Sequence, residues 1–288
     1  MGKAYEETKF ILDKYSIHPN KRLGQNFLID DETINNIIFA SDINEDELII
    51  EIGPGIGVLT SRLLDIAKKV IAIELDSNMV EILNERFKLY ENFELINKDV
   101  LKVDLEELIE KEKREHNVKG VKIVANLPYY ITTPIIMKLL KLRLNIDSIV
   151  VMIQKEVADR ITAEPGSKLS GSITYAVNYY SETENIFNVS QRCFIPNPKV
   201  ESEVIKLIIR EKPLVEVKDE ELFFKIIRVS FEQRRKTLVN GISNSGITSK
   251  EKITEILKEL EFDERTRGEN LTIDQFAQIA NKLKENNI

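Results

Sequence analysis

The chain is poor in the residues that metal and thiol chemistry most often needs. It has one cysteine, Cys193, and two histidines, His18 and His116, far apart in the sequence. A single thiol excludes a disulfide framework. Two distant imidazoles give no zinc-type spacing, so no metal is expected, and they leave little room for a Cys/His nucleophile pair. Long hydrophobic runs are missing as well. No stretch of about 18 apolar residues occurs, so no membrane span is expected. The opening "MGKAYEETKFILDKYSIHPNKRLGQ" is charged throughout and lacks the apolar segment of a secretory signal. It also lacks Ser or Thr at the sixth position, which an N-myristoylation signal needs. The expectation is a cytoplasmic protein.

What is present is globular in composition: 288 residues, 42% hydrophobic and 31% charged. That is enough for one large domain and a small one. The net charge of −7 speaks at first against a nucleic-acid partner, but binding depends on local patches rather than on the sum. Basic residues do cluster, in "NKRLGQ", "KLLKLR" and "FEQRRKTL", while the acidic excess sits in "INEDE", "VDLEELIEKE" and "VKDEE". Any one of these runs is also what a solvated helix face looks like.

Between Asp42 and about Ile208 the sequence alternates between two textures. "ELIIEIG", "KKVIAIELD", "FELINKD", "VKIVANLP" and "IDSIVVMI" are short, rich in Ile and Val, and apolar on both faces, as strands of a helix-covered parallel sheet should be. "GVLTSRLLDIA", "SNMVEILNERFKLY", "VDLEELIEKEKREH" and "PIIMKLLKLRL" between them have helical periodicity. Strands alternating with such helices make βαβ units and a doubly wound sheet. "ITYAVNYYSETENIFNVS" and "SEVIKLIIR" read as two more strands. Pro213 and the acidic run after it mark a linker. Beyond it "ELFFKIIRVSFEQRRKTLVNGI", "SKEKITEILKEL" and "TIDQFAQIANKLKEN" predict three amphipathic helices, with Ser249 and Thr272 at N-cap positions. The expected domains are therefore 1–210, with an N-terminal segment 1–41, and a helical domain 211–288.

"IIEIGPGIGVLT" sets Gly53, Gly55 and Gly57 between a strand and a helix, where bare backbone lets a ligand approach and the helix offers free N–H groups. The spacing is G-x-G-x-G rather than the G-x-G-x-x-G of dinucleotide sites, and a tight turn would explain it equally well taken alone. The next strand ends on Glu74, 21 residues after Gly53, at the interval where an acid holds two ribose hydroxyls. The strand after that ends near Asp99, whose carboxylate can accept from an adenine amino group. Glycines, a ribose acid and an adenine acid at three successive strand ends point to an adenosine ligand without a pyrophosphate. S-adenosylmethionine fits this pattern better than NAD.

With these motifs in place, "KRLGQNFL", "EIGPGIGVLT", "VIAIELD", "ANLPYYITTP" and "FIPNPKVES" together resemble the ribosomal RNA adenine N6-dimethyltransferases, in particular the small-subunit branch (KsgA, RsmA and Dim1). The resemblance spans about Tyr15 to Lys282. It implies a class I S-adenosylmethionine-dependent methyltransferase fold, α/β with a Rossmann-like doubly wound sheet and a small all-helical C-terminal domain. It further implies two adjacent adenines in a hairpin loop near the 3′ end of 16S rRNA as target, in small-subunit biogenesis. By resemblance, Asn26, Leu28, Gly53, Glu74, Asp99 and Asn126 contact the cofactor, joined by Gly55 of the same loop, and Phe194 flanks the target base. One departure stands out: where the family usually has an aromatic followed by Gly, this chain has Leu169-Ser170-Gly171.

"NLPY" can be argued from its residues. The exocyclic nitrogen of adenine is a poor nucleophile because its lone pair is delocalised into the ring. Acceptors on its two N–H bonds, the Asn126 amide oxygen and the Leu127 carbonyl, favour a tetrahedral nitrogen and free that lone pair. Pro128 fixes φ in the turn, and Tyr129 offers a stacking face. Tyr130 is expected to pack. A base held this way must leave any stacked helix or come from an unpaired loop. Lys21, Arg22, Lys155, Arg160, Arg234, Arg235 and Lys236 are the candidates for holding phosphates, although "QRRK" is also what a locally packed helix face would contain. The expected partner is the small ribosomal subunit and the expected state a monomer. Two rivals share the fold: a large-subunit (23S) rRNA dimethyltransferase conferring macrolide resistance, and a nucleic-acid-binding protein without catalysis. The opening "KRLGQNFL" and closing "TRGENLTIDQFAQIANKL" disfavour the first, and intact Asn26, Glu74, Asp99 and "NLPY" disfavour the second.

Overall fold

The structure, a computed structural model, describes residues 2–20, 23–233 and 235–286. In chain order its elements are α1 (Lys3–Lys14), β1 (Phe27–Leu28), α2 (Asp31–Ser41), β2 (Leu48–Ile52), α3 (Val58–Leu64), β3 (Lys69–Glu74), α4 (Ser77–Phe87) and β4 (Phe93–Asn97). Then come α5 (Leu105–His116), β5 (Val121–Asn126), α6 (Thr132–Lys141), β6 (Ser148–Gln154), α7 (Lys155–Ile161), α8 (Ser172–Tyr180), β7 (Ser181–Val189), β8 (Phe194–Ile195) and β9 (Ser202–Ile209). The chain closes with α9 (Glu220–Glu232), α10 (Leu238–Asn244), α11 (Lys250–Glu259) and α12 (Ile273–Glu285). Two compact units result, Met1–Ala158 with Thr183–Ile209, and Asp159–Glu182 with Arg210–Ile288.

The first unit is built on a seven-stranded sheet of order β4-β3-β2-β5-β6-β9-β7. β4, β3, β2, β5 and β6 pair in parallel, and β9 lies antiparallel to β6. The central strands β2 and β5 are apolar runs because helices cover both their faces, and every residue of β2 is buried. β4 differs from expectation: as an edge strand it is only half-buried. Chain order reverses between β2 and β5, so the loops leaving their C-terminal ends diverge and open the crevice where α/β sheets bind ligands. One hydrophobic cluster joins α1, α2, the short β1–β8 pair, α3 and α4 to the sheet. Aspartates start the helices that flank the crevice. Asp30 caps α2 through Thr33 N–H at 2.9 Å, and Asp76 caps α4 through Asn78 N–H at 3.0 Å.

The helical unit contains two departures from the sequence reading. "ITYAVNYY" is not strand but α8, and the strand begins only at Ser181. Its β-branched and aromatic residues suit a sheet, yet α8 is buried almost all round and so needs no polar face. Tyr175 packs its ring against Phe231 and Phe276, with centroids 5.4 and 5.1 Å away. Likewise "ELFFKIIRVSFEQRRKTLVNGI" is two helices, not one. α9 ends at Glu232, and Thr237 starts α10 by accepting from Asn240 N–H. Ser249 and Thr272 do cap α11 and α12, and Gln275 returns a bond to the Thr272 N–H at 2.9 Å.

Candidate active site

A cleft in the first unit, with about 1140 Å³ of non-atom space including its opening to solvent, lies at the C-terminal ends of β2, β3 and β5 and beside the loop after β4. The loop after β2 forms its floor. Gly53, Gly55 and Gly57 all have positive φ, at 69°, 58° and 84°, a region in which a Cβ is strained. A Cβ on Gly55 would also lie 3.3 Å from the Phe27 ring, so the bare backbone is what lets β1 close over the loop. Gly53 N–H donates to the Ile73 carbonyl at 3.0 Å, tying the loop to β3.

Glu74 ends β3 as a hub. Its Oε1 accepts from the N–H groups of Leu75 and Asp76, both at 2.8 Å, and its Oε2 from Gly55 N–H at 3.2 Å. Burial pushes its carboxyl above the usual range, against the pull of those three donors. Asp99 follows β4 and caps the short turn Val100–Lys102, its Oδ1 accepting from Leu101 N–H at 2.9 Å. From α6, Lys138 Nζ donates to the carbonyls of Val100 (3.0 Å) and Val103 (2.6 Å), holding that turn.

The fourth strand end is the turn Asn126–Tyr129. Asn126 Nδ2 donates to the Asn26 carbonyl at 3.3 Å, which directs the amide and leaves its oxygen without a donor among the described residues. Asn26 is itself tethered, its Nδ2 donating to the Gly24 carbonyl at 3.0 Å. Leu127 buries its side chain and donates its N–H to the Met152 carbonyl at 3.1 Å. The Pro128 carbonyl closes the turn by accepting from Ile131 N–H at 3.1 Å and Thr132 Oγ1 at 3.2 Å. The Tyr129 hydroxyl shares a hydrogen bond of 2.7 Å with Ser202 Oγ on β9.

Asn26, Leu28, Gly53, Gly55, Glu74, Asp99, Asn126, Leu127, Pro128 and Tyr129 therefore all line one cleft. Phe194 does not. On β8 it pairs in register with Leu28 and is fully buried in the core, so its ring offers no face to a ligand there. Tyr130 departs the other way: it is 55% exposed at the cleft instead of packed. Lys155 is ion-paired with Glu203 at 3.1 Å. Arg160 belongs to the helical unit, where its side chain lies along Gly171. Arg235 and Lys236 are exposed in the break between α9 and α10 rather than on a helix face. Lys21, Arg22 and Arg234 lie outside the described residues.

Several lining residues escape sequence reasoning. Leu75, Val100 and Ile135 give the cleft apolar walls. Gln25 Nε2 donates to Asp76 Oδ2 at 2.7 Å and fastens the opening motif over the loop after β3. Glu51, fully buried on β2, accepts from Thr60 Oγ1 at 2.6 Å, and burial pushes its carboxyl up to about 8. A carboxyl in an otherwise apolar strand was the visible signal for Glu51, whereas Gln25 and Ser202 carried none. Three carboxyl residues, Glu51, Glu74 and Asp99, and one described lysine, Lys98, are on the lining. The acceptors Glu74 and Asp99 suit hydroxyls, an amino group and a cationic centre, and disfavour a pyrophosphate.

Known proteins resemble this chain over nearly its whole length. The family model described as "Ribosomal RNA adenine dimethylase" matches residues 17–285. The Ribosomal RNA small subunit methyltransferase A of Clostridioides difficile (strain 630) is 47% identical over 278 residues, 96% of this chain and 95% of that one. A solved dimethyladenosine transferase from Plasmodium falciparum superposes with a TM-score of 0.77 at 27% identity, covering 91% of this chain and 98% of that one. The 23S rRNA methyltransferase ErmE superposes with a TM-score of 0.66 at 24% identity, over 90% and 100%, a likeness of fold alone. With glycine loop, strand-end acids and Asn126–Tyr129 turn in one cleft of a class I fold, this chain belongs to the ribosomal RNA adenine dimethylase family.

Proposed function

We infer that this chain dimethylates the N6 amino groups of two adjacent adenines in a hairpin loop near the 3′ end of small-subunit rRNA. S-adenosylmethionine is the donor, and the step belongs to small-subunit biogenesis. The observation that carries the reading is the Asn126–Tyr129 turn opening into the same cleft as Glu74 and Asp99. The small-subunit target rests on the relative of that name, alike over nearly the whole length of both chains.

S-adenosylmethionine, when bound, supplies an electrophilic methyl group on a sulfonium centre. Glu74 would hold the ribose: its Oε1 already accepts two main-chain N–H groups and its Oε2 one, so Oε2 keeps a lone pair for a hydroxyl. Asp99 accepts from the amino group of the cofactor's adenine, between the apolar walls of Leu75 and Val100. On the target side, the Asn126 oxygen and the Leu127 carbonyl accept the two N–H bonds of the adenine amino group and localise its lone pair. Tyr129, pinned by Ser202, stacks on the target base. Orientation is the main source of acceleration in such a site, because neither partner has to be made more reactive by a covalent step. No helix among the described residues is long and apolar enough to cross a membrane, which is compatible with a cytoplasmic place beside ribosomes.

The test is incubation of labelled S-adenosylmethionine with unmethylated small subunits and, in parallel, with unmethylated large-subunit rRNA, followed by mapping of the labelled bases. Label on two adjacent adenines of the small-subunit rRNA is expected. Label only on large-subunit rRNA would assign the chain to the macrolide-resistance chemistry, and no label would leave a binding protein.

A further inference from the structure

Three aromatic side chains line the cleft: Phe27, Tyr129 and Tyr130. Phe27 is buried in the core and Tyr129 is tied to Ser202. Tyr130 differs from both. It is 55% exposed, and among the described residues its hydroxyl has no hydrogen-bond partner and its ring no aromatic one. One edge of the ring rests against the opening motif, where a Cβ on Gly24 would sit 3.5 Å from Cδ1. A single exposed aromatic is ordinary on a protein surface. This one is set apart by its position, next in sequence to Tyr129 on the turn that presents Asn126 and Leu127, and on the lining of the same cleft.

An adenine that enters this cleft has left its stack, and the base next to it in the strand loses a stacking partner at the same moment. An aromatic face one residue along the turn can replace that partner. We propose that Tyr130 is the platform for the nucleobase adjacent to the target adenine, a subsite for an unpaired RNA strand on the exposed part of the cleft lining. The inference rests on the functional reading above, under which that neighbour is the second adenine of the pair. Stacking needs a flat ring and no hydroxyl, and it acts alike on bound substrate and transition state, so it lowers KM without changing kcat.

The experiment compares wild type, Tyr130→Ala, Tyr130→Leu, Tyr130→Phe and Tyr130→Trp. It measures kcat and KM on unmethylated small subunits and S-adenosylmethionine affinity by calorimetry. Tyr130→Ala is expected to raise KM for the subunits about tenfold, within the range of base–aromatic stacking, with kcat and cofactor affinity near wild type. Tyr130→Leu, which keeps apolar bulk but no ring, should behave like Tyr130→Ala and serves where the alanine variant does not fold. Tyr130→Phe and Tyr130→Trp should restore KM. A KM within twofold of wild type for Tyr130→Ala and Tyr130→Leu overturns the proposal. So does a Tyr130→Phe variant as impaired as the alanine, or a loss that falls on cofactor affinity instead. If wild type itself leaves small subunits unmethylated, the functional reading fails first and the subsite falls with it.

Discussion

Replacing Glu51 by Gln should make the protein's stability far less dependent on pH, and the size of the effect follows from the site. Glu51 lies on the inner strand β2, 2% exposed, with one donor, Thr60 Oγ1 at 2.6 Å. Burial is the largest influence on its carboxyl, raising the pKa from 4.5 to about 8; the Thr60 bond and Arg86 pull it down, and Glu74 pushes it further up. At neutral pH the folded chain therefore keeps this proton while the unfolded chain gives it up. A folded pKa above the unfolded one means a contribution that is complete below pH 4.5 and lost as pH rises through about 8. Across that window the loss is about 5 kcal/mol, at about 1.4 kcal/mol per tenfold change in proton activity.

Gln cannot ionise, and its amide oxygen still accepts from Thr60. Between about pH 5 and about pH 8, the stability of Glu51→Gln relative to wild type should rise by about 3–4 kcal/mol. At roughly 2–4 °C per kcal/mol for a unit of this size, the gap in melting temperature should widen by roughly 10 °C. Thermal melts of both proteins over that pH range measure it. Glu74 is raised in the same direction, but it is present in both proteins and largely cancels in the difference. Infrared spectroscopy supplies a second reading, since a protonated carboxyl band present in wild type at neutral pH should vanish in the variant. Parallel melting curves, or a wild type without that band, would show that Glu51 is ionised in the fold and refute the reasoning.

Three other perturbations address the rest of the cleft. Asn126→Ala should lower single-turnover methyl transfer about 10²–10³-fold while calorimetry shows S-adenosylmethionine affinity largely intact, and wild-type-like transfer would remove the acceptor role. Gly57→Ala should destabilise the first unit by about 2–4 kcal/mol, from left-handed strain plus overpacking. Its Cβ would meet Phe87 at 2.6 Å and Leu83 at 2.8 Å, at a φ of 84°, so an unchanged urea midpoint would contradict the packing. Lys138→Met strips the Val100 and Val103 carbonyls of their donor, which should cost about 1–3 kcal/mol and weaken S-adenosylmethionine binding beside Asp99. Lys138→Arg should recover part of both, and equal cofactor affinity in all three proteins would show that the turn holds its shape unaided.

What could be read in advance divides along a physical line. Gly53, Glu74, Asp99 and Asn126 were legible because a doubly wound parallel sheet turns sequence order into geometry. Each strand delivers its last residue to the same edge, so position at a strand end is position in the cleft. Properties that depend on distant partners were not legible. The direction of the Asn126 amide is set by Asn26, 100 residues away, and the setting of Tyr129 by Ser202, 73 residues away. A Phe on a two-residue strand can point to core or cleft, and only the pairing of β8 with β1 decided that Phe194 points to core. α8 was misread because the features that mark a buried strand, β-branched and aromatic residues without a polar face, also mark a helix enclosed by its neighbours. The charge on Glu51 belongs to the same class. Its carboxyl was visible in "IIEIG", but whether that carboxyl carries a proton is decided by β2 being an inner strand, where burial disfavours the anion. Local pattern thus located the donors and acceptors of the cleft, and long-range packing decided which way they face and how they are charged.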